Sequence, residues 1–323
     1  MPDTFVISAS PHIKIRLDTG MVMRLVCLSL MPAAIASFYL FGLRSLLVIV
    51  TSIVVCVLTE LGCNLVFRKG ITVTDGSAAV TGILFAFTLP PGTPWWMVAV
   101  GGFLAIFVVK QLFGGLGYNI FNPALAARAI LLSSWPVAMT TWIAPVKSFS
   151  SLDAVTSASP LGILKEGRLA EGVGGPAQSY LDLFLGTVPG SLGETCKIAL
   201  LTGAILLFVF KIIDWRIPLT YIGSVAVLSI PFGRDPLAAV LSGGLILGAF
   251  FMATDLVTSP VSKGGKLLFG LGCGLLTALI RSRGGFPEGV CYSILFMNTL
   301  NPLINKYVRP RVFGTKRAWF KKR

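Results

Sequence analysis

Charged residues are scarce in this chain of 323 residues. Asp, Glu, Lys and Arg make up 12% of it, there is one histidine, and 13 acidic residues stand against 27 basic ones. With 54% hydrophobic residues and a mean hydropathy of +0.83, the composition lies outside the range of soluble domains. It indicates a polytopic membrane protein.

Several signatures of a self-contained redox enzyme are also missing. The sequence has no C-x-x-C pair, no dinucleotide-binding fingerprint and no soluble catalytic domain. Six cysteines lie in or beside apolar runs and are predicted to be core residues: Cys27, Cys56, Cys63, Cys196, Cys273 and Cys291. Cys56 and Cys63, seven apart, could share one helix face, which leaves open a metal site completed by a partner chain.

The net charge of +14 would suggest nucleic-acid binding in a soluble protein. Here the basic residues flank apolar runs, where they orient a chain in lipid, so no nucleic acid is expected as a partner. The segment after residue 305 carries eight basic residues and no acid. This predicts that residues 306–323 form a basic cytoplasmic tail.

Ten apolar runs are candidates for membrane spans of about 20 residues. Five precede and five follow a polar loop, 135–192, near residues 21–43, 45–66, 76–90, 96–113, 119–134, 194–212, 217–232, 236–253, 266–281 and 286–304. The predicted fold is all-α, with five-helix halves over 1–134 and 193–305. An even number of spans places both termini in the cytoplasm and the loop outside, although Arg281 and Arg283 then lie on the unfavoured side.

Two dipeptide pairs suggest an internal repeat. Thr74-Asp75 precedes Asn122-Pro123 by about the same distance as Thr254-Asp255 precedes Asn301-Pro302. An odd number of spans in each half would make the halves inverted copies, an arrangement that places binding sites near the middle of the membrane. Coincidence is the alternative explanation of two short matches.

The order and spacing of several motifs resemble one family of membrane proteins. It contains the D subunit of the Rnf complex and the B subunit of the sodium-pumping NADH:quinone reductase, and the chain length favours the Rnf side. The motifs are Asp75-Gly76-Ser77, Thr81-Gly82, Leu89-Pro90-Pro91, 110–117 with Asn119 and 121–124, 251–255, Ile280-Arg281, Pro287-Glu288-Gly289 and Asn301-Pro302.

The resemblance implies one component of a redox-driven ion pump in a prokaryotic cytoplasmic (inner) membrane. Such a pump passes electrons between ferredoxin and NAD and moves Na⁺ or H⁺. Partner subunits would supply iron–sulfur clusters, the NAD site and a second covalent flavin, and a flavin transferase would install FMN on this chain.

The family attaches FMN, through its phosphate, within a pattern of Asp, two variable residues, Ser or Thr, Gly, Ala and an acceptor Thr. Asp153, Thr156 and Ala158 match this pattern, Ser157 replaces the glycine, and Ser159 stands at the acceptor position. Serine retains the hydroxyl that a phosphoester needs. The alternative is that Ser159-Pro160 caps a helix.

A second flavin, non-covalent riboflavin, is associated with the region around Lys110, Asn119 and Asn122 in the quinone-reductase relative. The alternative is a polar helix end that satisfies its own backbone. Acidic residues at membrane depth are candidates for an ion path, for pairing with a base, or for helix caps: Glu60, Asp75 and Asp255.

Two further hypotheses remain open. The repeat and the helices broken by glycine and proline are also typical of a solute channel or transporter. The second of these hypotheses is a structural subunit without covalent flavin. Ser157 favours it, because it replaces the glycine of the family's attachment pattern.

Overall fold

The computed structural model describes residues 18–68, 70, 72–145, 156–157, 161–162, 180–284 and 288–309. These residues are mainly helical. The helices are α1 Thr19–Phe41, α2 Leu43–Val66, α3 Ser77–Phe87, α4 Trp95–Leu104, α5 Pro123–Ser134, α6 Pro136–Thr140, α7 Tyr180–Leu185, α8 Lys197–Val209, α9 Arg216–Ser229, α10 Pro236–Leu241, α11 Leu245–Leu247, α12 Lys263–Arg283 and α13 Val290–Tyr307.

Two helices continue as π-helical segments, α4 through Ala105–Gln111 and α11 through Gly248–Met252. Short 3₁₀ turns cover Val73–Asp75 and Ile230–Phe232. The described strands are β1, Trp142–Ile143, and β2, Thr156–Ser157, which pair antiparallel with Trp142 opposite Ser157. The prediction of a mainly helical fold is thereby confirmed for the described residues.

The helices differ greatly in length. Each of the ten predicted spans contains a helix, but only α1, α2 and α12 among the described helices are both long and apolar enough to cross a membrane unaided. Several of the others are short: α3, for example, is 11 residues long and ends just before Leu89-Pro90-Pro91. A short helix leaves terminal backbone groups at membrane depth, which must be satisfied inside the protein.

The described elements define two ends of the molecule. We call the end with Asp75, Lys110 and Asp255 the cavity end and the end with β1 and β2 the loop end. Helix α5 begins at the cavity end and leads to β1, and its 12 residues correspond to about 18 Å. The 18 residues of α13 correspond to about 27 Å and run from the loop end to the cavity end.

Small residues allow the helices to approach closely. A Cβ on Gly82 would lie 2.9 Å from Ile53 Cα, and the Ser52 hydroxyl donates to the Gly82 carbonyl at 2.7 Å. Between α9 and α12, a Cβ on Gly274 would lie 1.7 Å from the Ser224 hydroxyl. Such contacts are typical of packing between membrane helices.

Candidate functional site

A buried ion pair lies at the cavity end. Lys110 Nζ donates to Glu60 Oε1 at 2.9 Å and to Oε2 at 3.0 Å, and to Ser77 Oγ at 2.6 Å. The two side chains are 2% and 1% exposed. Lys110 thus has polar partners for its ammonium group, and Glu60 has the basic partner that was one of its predicted roles.

The π-helical segment that carries Lys110 is part of this arrangement. Its wider turns shift the register of the side chains that follow it, and such segments are frequent at functional sites. The glycine-rich turn after it contains Gly114, Gly115 and Gly117 at φ of 124°, 107° and 95°. Residues with a Cβ rarely adopt these angles, so the turn requires glycine.

Asp75 joins the same network from the 3₁₀ turn that precedes α3. Its Oδ1 accepts hydrogen bonds from the Ser77 backbone N–H at 2.7 Å and from Ser77 Oγ at 2.6 Å, at the start of α3. Ser77 therefore links Asp75 to Lys110. Thr72 donates to Glu60 Oε1 at 3.1 Å, and Gln111 Nε2 donates to it at 3.3 Å; sequence reasoning missed both.

A cavity opens beside this network, between the two halves of the chain. It encloses about 760 Å³, including space continuous with the exterior. Its walls are largely apolar, and Lys110, Asn119, Asn122, Thr254 and Asp255 contribute polar groups. This mixture is typical of sites for organic ligands.

The two asparagines also hold the fold together. Asn122 Oδ1 caps α5 by accepting from the N–H of Ala124 at 3.1 Å, and its Nδ2 donates to the Met252 carbonyl at 3.4 Å. Asn119 Nδ2 donates to the Phe121 carbonyl at 3.0 Å. Asp255 Oδ2 accepts from Thr258 at 3.0 Å. Asn122 therefore satisfies a helix end and lines the cavity at once.

At the loop end, the structure describes only part of the attachment motif. Thr156 and Ser157 form β2, whereas Asp153, Ala158 and Ser159 lie outside the described residues. Leu161 is 3% exposed and packs beside Gly243, where a Cβ would lie 2.4 Å from Leu161 Cδ1. The backbone is thus held two residues before and two residues after Ser159.

A buried cluster of charges near Leu161 was not predicted from the sequence. Arg128 lies 3.5 Å from Glu194 and also pairs with Glu288. Lys197 is 2% exposed and donates to the Glu194 carbonyl and, at 3.4 Å, to the Thr195 carbonyl. Charged residues within apolar segments were the available signal, but their pairing depends on contacts between distant parts of the chain.

Arg281, which the predicted topology places on the unfavoured side, is 3% exposed in this region. Its guanidinium donates to the carbonyls of Ala239 at 2.6 Å and Ser242 at 3.2 Å, where α10 ends. Those carbonyls lack helical partners. Arg281 therefore provides hydrogen-bond donors for the carbonyl groups at the end of α10 and is not a free positive charge at the membrane surface.

Outside the apolar segments, Tyr180 and Asp235 join the loop to α10. The Tyr180 hydroxyl donates to Asp235 Oδ2 at 2.6 Å. This hydrogen bond, with those from the backbone N–H groups of Ala238 and Leu237, lowers the pKa of Asp235, and it raises the pKa of Tyr180. Asp235 is thus charged throughout the neutral range.

Within the described residues, no group of three His, Cys, Asp or Glu side chains could hold a metal. Cys56 is 0% exposed and contacts the Gly102 carbonyl at 3.8 Å. Cys63 is also buried in α2. The core interpretation therefore accounts for both positions.

The sequence of this chain matches a family model over residues 6–314, described as the NQR2, RnfD, RnfE family. The chain belongs to that family. It is 50% identical over 323 residues to the D subunit of the proton-translocating ferredoxin:NAD(+) oxidoreductase complex of Clostridium ljungdahlii, covering 97% of each chain.

Other relatives carry related names. The chain is 45% identical over 310 residues to the D subunit of the Na(+)-translocating ferredoxin:NAD(+) oxidoreductase complex of Acetobacterium woodii, covering 95% of each chain. It is 38% identical over 330 residues to the D subunit of the ion-translocating oxidoreductase complex of Stutzerimonas stutzeri, covering 93% of each. Relatives above 40% identity therefore differ in the ion that their names give.

Proposed function

We propose that this family member is the D subunit of a redox-driven, ion-translocating ferredoxin:NAD oxidoreductase, with FMN attached covalently to Ser159. The similarity to relatives so named, over nearly the whole chain, carries the assignment to the complex. The chain is not catalytic alone. Other subunits supply the iron–sulfur clusters, the NAD site and a second covalent flavin.

The anchoring of the attachment segment supports the flavin site. Ser159 follows β2 by two residues and precedes buried Leu161 by two, so the covalent chain limits its distance from each anchor to about 7 Å. A flavin transferase could esterify the hydroxyl with FMN at the loop end. A covalent bond removes the need for a binding equilibrium outside the membrane.

Fluorescence of the denatured protein tests this assignment. After SDS electrophoresis, the wild-type band should fluoresce under flavin excitation and the Ser159→Ala band should not. Ser157→Ala is the matched control, because it removes a neighbouring hydroxyl but not the acceptor, and it should retain fluorescence. Fluorescence that survives Ser159→Ala would refute this acceptor, and a dark wild-type band would favour a structural role without flavin.

We also propose that the cavity holds a non-covalent flavin of the riboflavin type. The apolar walls suit an aromatic ring system, and Lys110, Asn119 and Asn122 supply polar groups in the cavity wall. When bound, the flavin would supply a second redox centre. Asn119 and Asn122 would orient it, and Lys110 would stabilise negative charge at that end of the cavity.

Glu60, Asp75 and Asp255 stay predicted members of an ion path. Asp255 lines the cavity, and the other two belong to the network around Lys110. Two inverted five-helix halves, with both termini cytoplasmic and the loop extracytoplasmic, are the topology we propose. The first turn of α1 and the last turns of α13 both lie at the cavity end. This supports placing both termini on one side of the membrane.

A solute transporter is the second candidate. The observation that favours it is a cavity enclosed between two halves that are rich in broken helices. Flavin fluorescence on the denatured protein discriminates between the two, since a transporter has no need of a covalent redox group.

A further inference from the structure

Basic side chains gather at the cavity end, where the loop between α8 and α9 meets the start of α12 and the end of α13. Asp214 joins the first two parts, with its Oδ2 at 2.7 Å from Arg216 Nη1 and at 3.2 Å from Lys266 Nζ. The end of α13 is adjacent, because a Cβ on Gly264 would lie 3.2 Å from Val308 Cγ1. We call the following residues the basic patch: Lys211, Asp214, Trp215, Arg216, Lys263, Lys266, Lys306, Tyr307 and Arg309.

The positive charge of the basic patch is not balanced within the described part of the chain. Six basic side chains stand against one carboxylate, that of Asp214. Lys211 and Lys263 are exposed, and neither forms an ion pair with a described residue. The first turn of α12 contains no acidic residue. An anion from outside the chain can therefore neutralise charge that the fold leaves uncompensated.

Lys211 has a backbone conformation that is unfavourable for a residue with a Cβ. Its φ is +55°, and it follows the last turn of α8, where the N–H of Ile212 donates to the Leu207 carbonyl at 3.0 Å. Glycine is the usual residue at this position of a helix end, because it has no Cβ. Apart from its charge, lysine offers the fold nothing here that glycine lacks.

Aromatic and apolar side chains adjoin these charges. Trp215 and Tyr307 are both exposed; Arg216 Cζ lies 5.3 Å from the centre of the Trp215 ring, and Lys306 Nζ lies 5.7 Å from that of Tyr307. Exposed Trp and Tyr beside basic residues are typical of the headgroup level of a membrane. Exposed leucines continue from this level at four-residue spacing on the same helices: Leu219 after Trp215, and Leu267 and Leu271 after Lys263.

We propose that the basic patch binds the headgroup of an anionic phospholipid, with the acyl chains along the exposed leucines of α9 and α12. The ammonium groups of Lys211 and Lys263 contact the lipid phosphate, while Arg216 and Lys266 keep their bonds to Asp214. Basic clusters at the membrane surface attract anionic lipids in this way. A soluble acidic partner or a free phosphate ion would match the charges but would not use the leucines that continue from them. The proposal is independent of the proposed redox role.

Thermal unfolding of the full-length chain in detergent tests the proposal, with phosphatidylglycerol added at increasing mole fraction. Phosphatidylglycerol should raise the unfolding temperature of the wild type by about 3–5 °C, whereas phosphatidylcholine and inorganic phosphate should not. The half-saturating mole fraction should rise about fivefold for each lysine removed, in Lys211→Gly and in Lys263→Gln. Without added lipid, Lys211→Gly should unfold at no lower temperature than the wild type, because glycine adopts this conformation freely.

Arg44→Gln is the matched control. Arg44 is also an exposed basic residue, but it lies at the loop end, where α2 begins, so its loss should leave the response to phosphatidylglycerol unchanged. The proposal would be overturned by no rise in the wild type, by an equal rise with phosphatidylcholine, by a rise that persists in the double variant Lys211→Gly with Lys263→Gln, or by an equal loss in Arg44→Gln. A rise with inorganic phosphate as large as with the lipid would instead assign the patch to a free anion.

Native mass spectrometry of the complete complex separates a lipid from a partner protein. The double variant should retain fewer phosphatidylglycerol molecules than the wild type, with all subunits present. An unchanged lipid count together with the loss of a subunit would mean that a partner protein occupies the patch, and it would overturn the lipid site.

Discussion

At the scale of single residues, Lys110 and Glu60 show how two buried charges stabilise each other as a pair. Each is almost fully buried, and an ion in such surroundings depends on its partner and on additional hydrogen bonds. Ser77, Thr72 and Gln111 provide those bonds. The residue types were visible in the sequence, but their pairing across 50 positions was not.

Removing one partner of this pair should be strongly destabilising. Glu60→Gln leaves the Lys110 ammonium without a counter-charge and should cost about 3–5 kcal/mol, measured as a lower thermal unfolding temperature in detergent. The double variant Glu60→Gln with Lys110→Met should recover most of the loss. Asp214→Asn, in a partly exposed cluster with Arg216 and Lys266, is the control and should cost about 0–1 kcal/mol.

Equal losses in the Glu60 and Asp214 variants would contradict this account of Glu60. A double variant no more stable than Glu60→Gln would mean that Lys110 stabilises the fold through contacts other than its charge.

At the scale of elements, short helices depend on caps supplied by side chains. Asp235 accepts from the N–H groups of Leu237 at 3.3 Å and Ala238 at 3.2 Å and from the Tyr180 hydroxyl. It thus starts α10, a helix of six residues, and ties it to α7. The Asp-Pro pair at this position is a recognisable start signal in sequence, whereas the tie to Tyr180 is not.

Asp235→Ala should make the first backbone amides of α10 less protected from hydrogen exchange. Losing the cap costs about 1 kcal/mol, so hydrogen exchange at the Leu237 and Ala238 amides should accelerate about fivefold. Tyr180→Phe leaves the cap and should have a smaller effect. Because the pKa of Asp235 is lowered, protection of these amides from exchange in the wild type should persist through neutral pH and fade only as the pH falls through that lowered pKa. Unchanged exchange rates in Asp235→Ala would refute the role of Asp235 as the cap.

At the scale of the whole molecule, the cavity is the feature that requires both halves. Filling it with Leu84→Trp should lower the content of non-covalent flavin, because Leu84 is buried and lines its wall. The amount of flavin released by acid, relative to covalent flavin, measures this. Leu271→Trp, on an exposed face of α12, is the control, and equal flavin release from both variants would contradict a flavin site here.

Much of the fold could be predicted from the sequence, because apolar runs of about 20 residues have few alternatives to helices in lipid. The grouping of Glu60, Asp75 and Lys110 at one end also followed the order of the predicted spans. The cluster of Arg128, Glu194 and Glu288 could not be predicted, since its members come from three separate segments. The lengths of helices were overestimated for the same reason. Helix α3 ends at Phe87, where the N–H of Gly193 donates to the Phe87 carbonyl, and the N–H of Leu192 donates to the Leu89 carbonyl just beyond it.

The salt bridges of Arg128 bear on how the chain inserts into the membrane while it is being synthesised. One partner lies 66 residues further along the chain and the other 160. At about 5–20 residues per second, α5 waits roughly 10 to 30 s for the second carboxylate. During that time an unpaired arginine at membrane depth is unfavourable by about 2.5–3.5 kcal/mol if it reaches the centre of the bilayer. Residues 1–134 produced alone would keep that penalty, so the N-terminal half should need the C-terminal half to complete its insertion.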